Sequence, residues 1–160
     1  MTPYMNTARQ QNTYSHGNFL AHALKNKEIA HVLQIGLRTF DFLNDYSLSI
    51  RDNRVQYISS FEVKSNSLSI EIPKDLPYYL TFDVDVFSPS VLKSTGTPVV
   101  GGLDYYDGLS IINHLTSNYN IVALDFVELS SANYSNTSGE IVSRYILNAI
   151  LNKLPFNCIK

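Results

Sequence analysis

The chain has 160 residues, a hydrophobic fraction of 44% and a formal net charge of −2. That is enough for one domain with a sizeable core, and it excludes a disordered chain. Basic residues are scattered rather than clustered, which excludes a nucleic-acid partner, and no apolar run approaches the ~20 residues that span a bilayer. The single Cys158 excludes an internal disulfide and a cysteine-rich zinc site. The first 20 residues show no charged stretch followed by an apolar one, so a cytoplasmic protein without a membrane partner is expected.

In chain order, residues 1–15 lack apolar periodicity and read as loop, and His16-Gly17-Asn18 reads as a turn. A helix is expected from Phe19 to about Lys27, then a short buried strand from His31 to Leu37 that includes Gly36. Residues 40–50 suit a short helix, and Val55–Ile58 a second strand. Glu62–Ile72 is ambiguous: Leu68, Ile70 and Ile72 alternate as in an edge strand or an extended segment. Tyr78 to Phe87 reads as a buried strand stopped by Ser88-Pro89. Leu103–Leu115 has helical spacing, and Asn120–Glu128 is another apolar strand. A Ser/Asn loop over 129–138 leads to an amphipathic helix from Glu140 to Leu154, with Ile141, Tyr145, Ile146, Ala149, Ile150 and Leu154 on one stripe. Strands alternating with helices imply a mostly parallel sheet covered on both faces. The reading is a single domain over 1–160, with a loop at 1–15 and a core at 16–154.

The chemistry concentrates in Asp83-Val84-Asp85. Residues two apart on a strand share a face, so both carboxylates are expected on one side, about 7 Å apart. Two acids at the end of an apolar strand repel and are poorly solvated, and a cation is the simplest group to offset that. In parallel sheets, ligand groups gather at the carboxyl ends of strands. Asp83 and Asp85 end one expected strand, Asp125 and Glu128 end another, and His16 stands before a helix. Gly96, Gly101 and Gly102 read as turn residues needing unusual backbone angles. No Gly-Lys-Ser/Thr follows them, so they form no phosphate loop.

Asp83-Val84-Asp85, Ser88-Pro89 and Gly96-Thr97-Pro98-Val99-Val100-Gly101-Gly102-Leu103 together resemble the signature of the ureohydrolases, the arginases, agmatinases and related amidine hydrolases. Ser15-His16-Gly17-Asn18-Phe19, Val32–Arg38 and Ala123–Glu128 are similar to further family segments in the same order. The resemblance runs from about residue 14 to 152. It implies a three-layer α/β/α fold, a manganese pair with a bridging hydroxide, and attack on a guanidinium or amidine carbon. Asp83 and Asp85 match metal-binding aspartates. His16 matches a histidine that carries protons to and from solvent, and Glu128 matches a glutamate that orients the cationic substrate, such as agmatine or arginine.

The family's Gly-Gly-Asp-His and Asp-Ala-His-x-Asp motifs have no counterpart here. Ser88, Lys93, Asp107 and Ser130-Ser131 also depart from its pattern. The expectation is therefore an N-terminally truncated member with an incomplete manganese site. It would be inactive alone, completed by an N-terminal segment and prone to homo-oligomerise. The alternative is a non-catalytic remnant or binding module on the same scaffold.

Overall fold

The computed structural model describes residue 14 and residues 19–38, 52–65, 69–131 and 136–153. The helix expected within 40–50 lies outside them, as do His16 and Leu154. The chain forms two compact units, Met1–Ile72 and Pro73–Lys160.

In the first unit a five-residue helix α1 (Phe19–Ala23) precedes strands β1 (Val32–Leu37) and β2 (Val55–Ser59). The strands pair in parallel from Val32↔Val55 to Ile35↔Ile58. The register then slips between Ile35 and Leu37, where Gly36 takes a φ of +89°. A residue with a Cβ would be strained there. Arg54 ties the strand pair to the loop after α1. Its guanidinium donates to the carbonyls of Leu24 (2.6 Å) and Ile29 (2.9 Å), and to the Asp52 carboxylate (2.6 Å).

β2 runs straight into helix α2 (Ser60–Lys64). The Ser59 hydroxyl accepts from the Glu62 N–H, and the Glu62 carboxylate accepts from the Ser59 N–H. This reciprocal cap starts a helix within the stretch read as ambiguous. Residues 69–72 form no strand. Instead the Gln56 side chain donates to the Ser69 carbonyl and accepts from the Glu71 N–H, substituting for a neighbouring strand's backbone.

The second unit contains β3 (Pro77–Asp83), α3 (Tyr105–Asn118), β4 (Asn120–Val127) and α4 (Asn136–Leu151). β3 and β4 pair in parallel, ending at Asp83↔Val127, with α3 in the crossover. The architecture is thus α/β with parallel pairing, as alternating strands and helices require. α3 starts at Tyr105 because Asp104 caps it. The Asp104 carboxylate accepts from the N–H groups of Tyr106 and Asp107, and Asp107 returns a bond to the Asp104 N–H.

The core of this unit joins Phe82, Phe87 and Tyr145, whose ring centroids lie 5.5–5.8 Å apart, to fully buried Val84, Leu92, Leu103 and Ile112. β3 is not buried on both faces: Phe82 is buried while Pro77, Tyr79 and Thr81 are exposed. On α4 the buried stripe is Ser138, Ile141, Val142, Tyr145 and Ala149. Ile146 and Ile150, expected on that stripe, are 36% and 48% exposed, because they sit at its flank. Among the described residues no helix is long and apolar enough to cross a membrane.

Candidate active site

β3 ends at Asp83. The next three residues, Val84–Val86, form a 3-10 turn with Asp83 as its cap. The Asp83 carboxylate accepts from the Asp85 N–H at 2.9 Å. This corrects the expectation of two aspartates on one strand face. An aspartate can bond its own backbone two residues on, and here that local bond wins over continued extension. Both acids remain at the carboxyl end of β3, but the backbone of one now holds the side chain of the other. Asp85 is 3% exposed and Val84 1%.

The chain then doubles back. Phe87 bridges Leu103, with Ser88 N–H bonded to the Leu103 carbonyl and Leu103 N–H to the Val86 carbonyl, both at 2.9 Å. Gly102 lies in this contact. A Cβ there would stand 2.4 Å from the Phe87 carbonyl carbon, so close approach rather than an unusual angle requires glycine. Gly101 does have the positive φ expected, +78°, whereas Gly96 does not.

The segment Ser94–Thr97 connects the two strand ends. On one side Ser130 N–H donates to the Ser94 carbonyl at 2.9 Å, and Thr95 bridges Leu129. On the other the Thr97 hydroxyl donates to Asp85 Oδ2. Between them, a methyl group placed on Gly96 would lie 3.9 Å from Glu128 Oε2. Glu128 follows β4 directly and has a φ of +66°, the left-handed region. That costs a residue with a Cβ about 1–2 kcal/mol, and such strain persists where the surroundings enforce it. Here the bonds of Leu129 and Ser130 to the 94–95 segment do so.

Asp83, Asp85 and Glu128 therefore all stand at the carboxyl ends of the parallel pair β3–β4. Burial pushes the Asp83 carboxyl above its ordinary value. The Asp85 N–H works against that shift, while the negative charges of Asp85 and Glu128 add to it. His16 lies outside the described residues. Thr97 carries no signal of its own in the sequence beyond its place in the glycine-rich motif. Asp125 sits on the outer face of β4, accepting a hydrogen bond from the Tyr79 hydroxyl of β3.

Two hard carboxylates side by side, with the proton affinity of Asp83 raised, suit an oxygen-preferring divalent cation such as manganese. Among the described residues no group of three or more His, Cys, Asp or Glu side chains is arranged to hold a metal ion. Asp83 and Asp85 by themselves offer two oxygen-donor side chains, fewer than such an ion fills its positions with.

Residues 4–151 match the model of the arginase family. The chain belongs to the arginase family. The agmatinase of Blochmanniella floridana is 35% identical over 121 residues, which make up 74% of this chain and 39% of that relative. A hypothetical agmatinase from Burkholderia thailandensis superposes with a TM-score of 0.66 at 25% identity, covering 86% of this chain and 43% of that one. Proclavaminate amidino hydrolase from Streptomyces clavuligerus superposes with a TM-score of 0.71 at 24% identity over 87% of this chain and 48% of that one, which shows the shared fold. This arginase-family chain accordingly spans 39–48% of the length of these relatives.

Proposed function

We propose that the chain carries part of the active site of a manganese-dependent hydrolase of guanidino compounds, with agmatine the first substrate to test and arginine the second. The observation that carries this reading is the placement of Asp83, Asp85 and Glu128 at the carboxyl ends of one parallel strand pair, joined by the 94–97 segment. Membership of the family and the names of the agmatinase relatives support it.

In this reading Asp83 and Asp85 hold manganese, which when bound supplies an activated water for attack on a guanidinium carbon, with urea released. Glu128 pairs with the planar cation and fixes its orientation. His16 exchanges protons between the site and solvent. The family match crosses both compact units, which supports treating them as parts of one domain.

Two acids satisfy few of the roughly six positions a hard divalent ion fills. We therefore propose that the chain is inactive alone and is completed by a segment bearing the remaining ligands. Self-association is proposed as well. It is supported by the neighbouring side chains Leu147, Ile150 and Leu151 on α4, which are 43–55% exposed.

The test is urea release from agmatine and arginine, with manganese, by the chain alone and co-expressed with the N-terminal part of an agmatinase relative. Activity only in the second case is expected. Manganese binding without urea release in either case would favour a non-catalytic module on the same scaffold. A single monomeric species in light scattering would overturn the oligomer proposal.

A further inference from the structure

We propose that Thr97 is a positioning residue, whose hydroxyl holds the Asp85 carboxylate in one orientation. The proposal deepens the metal-site reading above and rests on it only for its consequence, not for its geometry. The Thr97 hydroxyl donates to Asp85 Oδ2, and Asp85 is 3% exposed. A hydrogen bond to a carboxylate is charge-assisted, and a hydroxyl on a fixed base restricts how that carboxylate turns.

The base is fixed from two directions. Upstream, Ser94 and Thr95 are 0% and 2% exposed and are joined to Ser130 and Leu129 beyond the end of β4. Downstream, Pro98 has a ring-locked φ and restricts the backbone of Thr97 before it. Thr97 itself is exposed, so its methyl group fills no core space that would explain it. What it contributes is the hydroxyl. Partners that orient a metal-binding carboxylate govern affinity without touching the metal, typically by 10- to 100-fold.

The test compares the full-length chain with Thr97→Ser, which keeps the hydroxyl, and Thr97→Val, which keeps the shape and removes it. Thr97→Ala serves as a second hydroxyl-free variant. Three-bond Hα–Hβ couplings of Asp85, measured by NMR without metal, should report one rotamer in the native chain and in Thr97→Ser. They should report averaged rotamers in Thr97→Val and Thr97→Ala. Unchanged couplings in folded Thr97→Val overturn the proposal.

In the chain co-expressed with the N-terminal part of an agmatinase relative, titration with manganese followed by electron paramagnetic resonance should then show affinity about tenfold or more weaker in Thr97→Val and restored in Thr97→Ser. Equal affinities overturn the functional consequence. If the chain completed by the N-terminal part of an agmatinase relative binds no manganese while the couplings behave as expected, the metal reading fails and the positioning role of Thr97 stands.

Discussion

The Asp85 N–H donates to the Asp83 carboxylate, so Asp83 ends a strand, caps a turn and faces a second acid at once. Burial and the neighbouring charges raise its carboxyl above the ordinary 3.8. Between that value and the raised folded one, the native chain keeps a proton that the unfolded chain has lost. Stability therefore falls as pH rises through this window and stays reduced above it. Asp83→Asn keeps a good cap and removes the charge. It should be more stable than the native chain at neutral pH and lack this slope, as thermal melting across pH will show. Asp83→Ala should lie about 1 kcal/mol below Asp83→Asn through loss of the cap.

In the reading proposed for the site, Glu128 separates stability from function. Its left-handed backbone is strained for any residue with a Cβ and free for glycine. Glu128→Gly should be about 1 kcal/mol more stable than Glu128→Ala in urea denaturation. Both should lose guanidinium binding alike, which a calorimetric titration with agmatine in the complemented protein would measure.

The three glycines of the 96–102 segment should respond to alanine in a set order. Gly102→Ala drives a Cβ into the Phe87–Ser88 backbone and should cost about 3 kcal/mol or prevent folding. Gly101→Ala strains a positive φ in open space and should cost about 1–2 kcal/mol. Gly96→Ala meets only the Glu128 carboxylate, at ordinary contact distance, and should leave the melting temperature unchanged. A large loss at Gly96 would show that the segment packs differently.

In the first unit the Asp52–Arg54 pair makes an acid-side prediction. Hydrogen bonds from the Arg54 side chain and backbone hold Asp52 at about 2 against an ordinary 3.8. Its contribution is present above 3.8 and is lost as pH falls from there through about 2. Asp52→Asn should flatten that part of the acid unfolding curve. Arg54→Ala should melt earlier at every pH, because the carbonyls of Leu24 and Ile29 also lose their donor.

Much of the second unit could be read from residue order. The spacing of Ile112 and Leu115, both buried, identifies α3, and the apolar run at 120–127 identifies β4 as a strand, although none of its residues is buried and Val122 is 63% exposed. The acidic rim was legible in outline, since parallel strands bring their carboxyl ends together. Its internal geometry was not. Whether Asp83 extends a strand or caps a turn depends on one side-chain bond that alternation cannot encode. Gly102 looked like a turn glycine because close approach leaves no local pattern, and the part played by Thr97 depends on a contact across the loop. In the first unit the Ser59–Glu62 cap was a readable signal, obscured by the alternation of Leu68, Ile70 and Ile72.

The crossover between β3 and β4 has a consequence for how the site comes into being. Asp83, Asp85 and Thr97 all precede α3 in the chain, whereas Glu128 follows it. During synthesis the first three emerge before the strand that completes the rim exists, and parallel pairing must wait for the intervening helix to settle. The rim contacts latest in chain order are those of Leu129 and Ser130 with the 94–95 segment, which also hold Glu128 in its strained backbone. The rim therefore closes only once β4 has been made, and the contacts that close it are the ones that impose its strain.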